Sequence, residues 1–194
     1  MTTRRDFLKT MTMASAGLAL GAGDILANPT FASQRKITDK VKIAYVGIGN
    51  RGEQIIGDFA RTGMVEVVAL CDVDMGAPHT QKVMNLYPKA KRFRDFRQMF
   101  DKAGNEFDAV AIATPDHSHF PISMLALASG KHVYVEKPLA RTFYEGELLM
   151  QAALKRPNLV TQVGNQGHSE ANYFQFKAWM DAGIIKDVTA VTAH

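Results

Sequence analysis

The run Val41-Lys42-Ile43-Ala44-Tyr45-Val46 has the make-up of a buried strand, and the chain leaves it through Gly47-Ile48-Gly49-Asn50-Arg51-Gly52. Residues 50–61, which follow, have helical character. Asp72 stands twenty residues beyond the last of these glycines, closing a second apolar run, Val65–Cys71. Few patterns constrain a fold so tightly. A strand that turns directly into a helix needs a first glycine for the tight turn and a second that lets backbone approach a ligand. The third allows helix and strand to pack closely. The helix then presents its unpaired N–H groups and positive end outward, which suits a pyrophosphate. A carboxylate ending the next strand accepts from both hydroxyls of a ribose and repels a 2′-phosphate. No arginine directly follows Asp72. The expected ligand is therefore a dinucleotide, NAD in preference to NADP.

The alternation continues down the chain. Strands are expected over residues 41–46, 65–71, 89–92, 107–113, 132–135 and 159–163, and helices over 50–61, 77–87, 95–102, 118–128, 143–155 and 170–181. The second, fourth and fifth strands are apolar without polar alternation, as parallel strands covered on both faces should be. Gly63, Gly104, Gly130 and Gly183 fall at or just past helix ends, where positive φ is often required. The fold class is α/β, a doubly wound parallel sheet, with the strands' carboxyl ends on one edge. Residues 185–193 read as one more strand, the start of a second, truncated α+β domain.

Composition narrows the partners. Of 194 residues 46% are hydrophobic and 22% charged, with a formal charge of +4, which is ordinary for a globular chain. Five basic residues cluster between Lys89 and Arg97 with Phe93 and Phe96 interleaved. This cluster reads as the solvated face of a short strand and an amphipathic helix, so no nucleic-acid partner is expected. Cys71 is the sole cysteine, which excludes an internal disulfide and a cysteine metal cluster.

The N-terminus carries an address. Thr3-Arg4-Arg5-Asp6-Phe7-Leu8-Lys9 matches the twin-arginine export pattern, and an apolar stretch, residues 11–23, follows. As a helix that stretch rises ~20 Å, short of the ~30 Å hydrocarbon core, so it reads as a signal h-region and not a stable membrane span. Cleavage is expected near Ala32, with Ala27 as the alternative. The expected organisation is a signal peptide over residues 1–33, an NAD-binding domain over 34–167, and a connecting helix with a first strand of a substrate domain over 168–194. The twin-arginine translocase carries folded proteins to the periplasm, which suits a chain loaded with cofactor before export.

Three loops at strand ends carry the chemistry: Cys71-Asp72, Ala113-Thr114-Pro115 followed by His119, and Glu136-Lys137-Pro138. Asp116, His117 and His119 have metal-ligand chemistry, yet such residues are common at a helix start, where Asp116 or Ser118 would cap free N–H groups. No metal site is expected. From about Val41 to His194, the ordered motifs resemble the Gfo/Idh/MocA oxidoreductase family. That resemblance implies a Rossmann fold and hydride transfer between NAD and a sugar, sugar derivative or cyclitol. It implies that Gly47, Gly49, Asn50, Arg51 and Gly52 hold the pyrophosphate and Asp72 the adenosine ribose. Thr114, Pro115 and His119 would line the nicotinamide half, with Glu136 at its ribose and Asn165 beside it. Lys137 would face the substrate hydroxyl, and the Lys137–Pro138 bond would be cis. An amine so placed can take or relay the hydroxyl proton as hydride leaves carbon.

The segment Gln162-Val163-Gly164-Asn165-Gln166-Gly167-His168 lacks the arginine pair that many relatives carry. The further aspartate and histidine of relatives come from a second domain. Three functions compete. The first is an exported, NAD-dependent dehydrogenase of sugars, glycosides or cyclitols, homo-oligomeric when full length. The second is the family's NAD-dependent glycosidase branch, which oxidises C3 transiently and eliminates the aglycone. That branch tends to replace the lysine of Glu-Lys-Pro, so Lys137 favours dehydrogenation. The third is a non-catalytic nucleotide-binding module, expected if the chain is complete. Such a chain would expose Phe174, Phe176 and Trp179.

Overall fold

The computed structural model describes residues 40–192, so the export segment expected over residues 1–33 lies outside the described residues. Six strands form one parallel sheet in the order β3-β2-β1-β4-β5-β6. They are β1 (Val41–Val46), β2 (Val65–Cys71), β3 (Lys91–Phe93), β4 (Ala109–Ile112), β5 (His132–Glu136) and β6 (Thr161–Gly164). The helices are α1 (Arg51–Arg61), α2 (Pro78–Leu86), α3 (Phe96–Ala103), α4 (His119–Ala128), α5 (Phe143–Leu154) and α6 (Ala171–Asp181). Strand order reverses between β1 and β4, so this is a doubly wound Rossmann sheet with its switch point between those strands.

The central strands lack polar alternation because both of their faces are covered. Ala44 and Val46 of β1, Ala69 and Cys71 of β2, and Val110 and Ile112 of β4 face α3, α4 and α5 through Met99, Phe100, Ile122, Ala126 and Leu149. Their neighbours Ile43, Tyr45, Leu70 and Ala111 face α1 and α2 through Ile55, Ile56, Val83 and Met84. Successive side chains point to opposite sides of a strand, so apolar residues at every position fill both layers. Helix α5 opens on a reciprocal cap: the Glu145 N–H donates to Thr142 Oγ1, and the Glu145 carboxylate accepts from the Thr142 N–H.

Three expectations need correction. Gly63, Gly130 and Gly183 take positive φ, but Gly104 has φ −56° because α3 runs on into a 3₁₀ turn, Gly104–Glu106. Neither Asp116 nor Ser118 caps a helix through its side chain; the chain enters α4 through a 3₁₀ turn, Asp116–Ser118, whose backbone makes the bonds. Residues 185–192 form no strand. A strand needs a neighbouring strand for its N–H and C=O groups, and these residues pair with no strand among those described, while the Ile185 N–H donates to Trp179 O. Helix α6 buries no residue, and Phe174, Phe176 and Trp179 are exposed, as expected for a helix without a covering layer.

Candidate active site

All strands run parallel, so every carboxyl end reaches one edge, and the switch between β1 and β4 opens a crevice there. A cavity of about 590 Å³ fills it, lined by Gly47, Gly49, Asn50 and Arg51 after β1, Asp72 after β2, and Thr114 and Pro115 after β4.

The glycine loop is built for close approach. Gly47 has φ +78°, and a Cβ there would stand 2.6 Å from Ala113 O and 2.7 Å from Thr114 N. A Cβ on Gly49 would strike the His79 ring, and one on Gly52 the Gly47 carbonyl. Asn50 enters α1 with φ +46° and no side-chain cap, and the Gly52 N–H donates to Gly49 O at 2.9 Å, so no side chain covers the N-terminus of the helix. Asp72 Oδ2 accepts from the Ile48 N–H at 2.9 Å and Oδ1 from the Asp74 N–H at 3.0 Å. Each oxygen keeps a lone pair for a ribose hydroxyl, because a carboxylate offers about four acceptor sites. The Cys71 thiol beneath is pushed up to about 12 by burial and by the neighbouring Asp72 and Asp95 carboxylates, so it is inert.

Thr114 Oγ1 is buried without a hydrogen-bond partner at the far end of the same cavity. An orphaned hydroxyl beside glycines that a Cβ would block fits a bound dinucleotide.

A second cluster sits at the ends of β5 and β6. Glu136 is only 4% exposed. Its Oε1 accepts from Gln166 Nε2 at 2.6 Å and Arg51 Nε at 3.1 Å, and Arg51 Nη2 lies 3.1 Å from the same oxygen. Tyr134 Oη is 3.3 Å from Oε1, and Oε2 accepts from the Lys137 N–H at 3.3 Å. Burial pushes the Glu136 carboxyl up, but the bonds from Gln166 and Arg51 outweigh it and hold the group below the usual carboxylate range. Burial and the Glu136 charge push the Tyr134 phenol up. The cluster needs Gly164 opposite Glu136, where a Cβ would lie 2.6 Å from Oε1.

The residues named from the sequence thus fall into three groups. Gly47, Gly49, Asn50, Arg51, Asp72, Thr114 and Pro115 line the cavity, and Gly52 packs behind the loop. Glu136 is tied to them by Arg51. Lys137 is exposed beyond β5, follows Glu136 directly, and its ammonium has no partner among the described residues. The Lys137–Pro138 bond is cis. His119 is buried beneath the loops with both ring nitrogens on backbone carbonyls, and Asn165 Nδ2 lies 3.0 Å from His168 Nδ1, outside the cavity lining. Sequence reasoning missed His79, Arg94 and His117 on the cavity wall, and Gln166 and Tyr134 on Glu136. Arg94 had a signal, since it follows β3 on the edge that carries Asp72.

Residues 41–164 match the model of the Gfo/Idh/MocA oxidoreductase family, NAD-binding Rossmann fold. The chain belongs to this family. It is 30% identical over 147 residues to inositol 2-dehydrogenase of Salmonella typhimurium, covering 75% of this chain and 43% of that one. It is 28% identical over 160 residues to glycosyl hydrolase family 109 protein 2 of a Shewanella species, covering 73% and 35%. Scyllo-inositol dehydrogenase from Lactobacillus casei, solved with bound NAD(H) and scyllo-inositol, superimposes with TM-score 0.67 at 28% identity. The match covers 78% of this chain and 44% of that one. The chain therefore spans less than half the length of these relatives. Residues 41–164 form an NAD-binding Rossmann domain.

Proposed function

We propose that the protein is an NAD-dependent dehydrogenase that moves hydride between the cofactor and a hydroxyl-bearing carbon of a cyclitol, sugar or glycoside. The observation that carries this reading is the placement of Lys137. Its ammonium has no partner among the described residues and emerges one residue after Glu136, which Arg51 joins to the glycine loop. Bound nicotinamide supplies a two-electron hydride acceptor. The glycine loop and the open end of α1 hold pyrophosphate, Asp72 the adenosine ribose, and Glu136 the nicotinamide ribose. Thr114 Oγ1 bonds the nicotinamide side, and Lys137 takes or relays the hydroxyl proton. Relatives named for inositol oxidation support a cyclitol or sugar as substrate. The twin-arginine pattern supports export of the loaded, full-length protein to the periplasm, where a homo-oligomer is expected, and relatives' greater length supports a substrate-binding region beyond the cofactor domain.

The kinship to proteins named for glycosyl hydrolase family 109 gives the second reading, an NAD-dependent glycosidase. Lys137 weighs against it. Full-length protein incubated with NAD⁺ and myo-inositol, scyllo-inositol, glucose or an aryl N-acetylgalactosaminide separates the two. The proposal expects steady NADH accumulation with a polyol or sugar, and a loss of about 10²–10⁴-fold in Lys137→Met with NAD⁺ affinity kept. Release of the aryl group without net NADH would replace it by the glycosidase reading.

A further inference from the structure

His119 is the first residue of α4 and is 1% exposed, the buried one among the described histidines. Its Nδ1 lies 2.6 Å from Pro138 O and its Nε2 2.8 Å from Thr114 O. These carbonyls belong to different loops. Thr114 follows β4 and lines the cavity, with its hydroxyl buried and unpartnered; Pro138 follows β5 and the exposed Lys137. The strands beneath are neighbours in register, Ile112 opposite Val135, but the ladder ends there and leaves the two loops without a backbone bond to each other. The His119 ring spans the gap.

We propose that His119 is a positioning residue: its ring holds the Thr114 carbonyl at one end and the Pro138 carbonyl at the other, fixing Thr114 Oγ1 and Lys137 relative to each other. The inference rests on the dehydrogenase reading for its consequence, though not for its geometry. Carbonyl oxygens only accept, and a neutral imidazole has one N–H. The bridge is complete only when both ring nitrogens donate. A side-chain amide has its donors on a single nitrogen and cannot reach two carbonyls on opposite sides. Reacting groups displaced by about 1 Å lose roughly 10²-fold in rate, so the staple acts on turnover more than on cofactor binding.

Two measurements test this on the full-length protein with NAD⁺ bound. The first is ¹⁵N-histidine NMR of the unsubstituted protein at neutral pH. One ring with two slowly exchanging N–H protons is expected; a buried ring with a single N–H overturns the proposal. The second is His119→Gly assayed on the polyol that gives NADH. The expected result is a fall in kcat of about 10²-fold with the NAD⁺ Kd shifted no more than a few-fold. Added 4-methylimidazole, which donates from both nitrogens, should restore kcat; 1-methylimidazole, of similar bulk but with one nitrogen blocked, should not. Equal loss of kcat and NAD⁺ affinity, equal rescue by both compounds, or unchanged kcat refutes the staple. If no polyol or sugar gives NADH, the dehydrogenase reading fails by itself, and the ring protons still decide the role of His119.

Discussion

Replacing Arg51 by methionine keeps most of the side-chain length and removes the cation that faces Glu136. Arg51 Nε and Nη2 each lie 3.1 Å from Glu136 Oε1, and the carboxylate is buried while the Arg51 side chain is 36% exposed. Breaking a fully buried pair costs about 3–5 kcal/mol, and losing a hydrogen bond to a charged group about 1.5–3. Solvent screens the half-open guanidinium, and Gln166 and the Lys137 N–H still serve the carboxylate, so ~2 kcal/mol is the working figure. For a domain of this size that lowers Tm by about 4–8 °C. The pH dependence follows from the lowered Glu136 pKa, which Gln166 and Arg51 maintain against burial. A group depressed in the folded state adds stability that is complete above its unfolded value, about 4.3 for Glu. That contribution is lost as pH falls through the folded value. The gap in Tm between Arg51→Met and the parent should therefore be full near neutrality and narrow progressively below about pH 4. Glu136→Gln should cost less than Arg51→Met at neutral pH, because it leaves a half-exposed cation rather than a buried anion. Thermal melts of the parent, both single variants and the double variant across this pH range give every term. A gap that stays constant into acid, or a larger loss from Glu136→Gln, would show that Arg51 acts through packing and refute the argument.

Two further outcomes test the cofactor cradle. Asp72→Ala removes the acceptor for both ribose hydroxyls and for the Ile48 N–H, so NAD⁺ affinity should fall about 10–10²-fold, from the 1.5–3 kcal/mol of charged hydrogen bonds. The ratio of NADP⁺ to NAD⁺ affinity should rise, as read by titration calorimetry with each. Gly47→Ala meets positive φ and backbone atoms 2.6–2.7 Å from its Cβ. A loss of about 2–4 kcal/mol in urea unfolding and no measurable NAD⁺ binding are expected, from αL strain plus overpacking.

Most of the fold was legible because it rests on local signals. Apolar runs without alternation give parallel strands, and Gly47, Gly49 and Gly52 give the turn that binds the ligand. The placement of the glycine loop and Asp72 on one cavity was legible for the same reason, since it depends on backbone geometry at strand ends. The Glu136 cluster was not. Gln166 reaches Glu136 only because Glu136 pairs with Gly164 in the sheet, a register that the pattern of residues 159–168 does not encode. The strand expected over residues 185–193 shows the opposite error. Its β-branched residues have the right propensity, yet propensity acts through neighbours, and the described residues offer none. The family resemblance implies His119 as a cofactor contact. The 3₁₀ turn at Asp116–Ser118 instead precedes a His119 whose ring is buried on backbone carbonyls.

The two ends of the cavity are built on different principles, and the difference assigns them different work. At the Asp72 end the carboxylate is already held by rigid backbone: Asp72 accepts from two N–H groups, and the glycine loop leaves no room for a side chain. Such a surface binds ground state and transition state alike, which sets affinity without lowering the barrier. At the other end Thr114 Oγ1 is unpartnered and the Lys137 ammonium is free among the described residues, while Glu136 beside them is locked by Arg51 and Gln166. Unsatisfied groups held on a satisfied frame gain most when charge shifts during reaction, because they have no partner to give up. The frame is the costly part, since it buries a carboxylate and a histidine to keep two loops in place. Proteins bury such groups where position matters more than stability. On the proposed dehydrogenase reading the chemistry would therefore belong to the β4–β5 loops, and the glycine loop would deliver the cofactor to them.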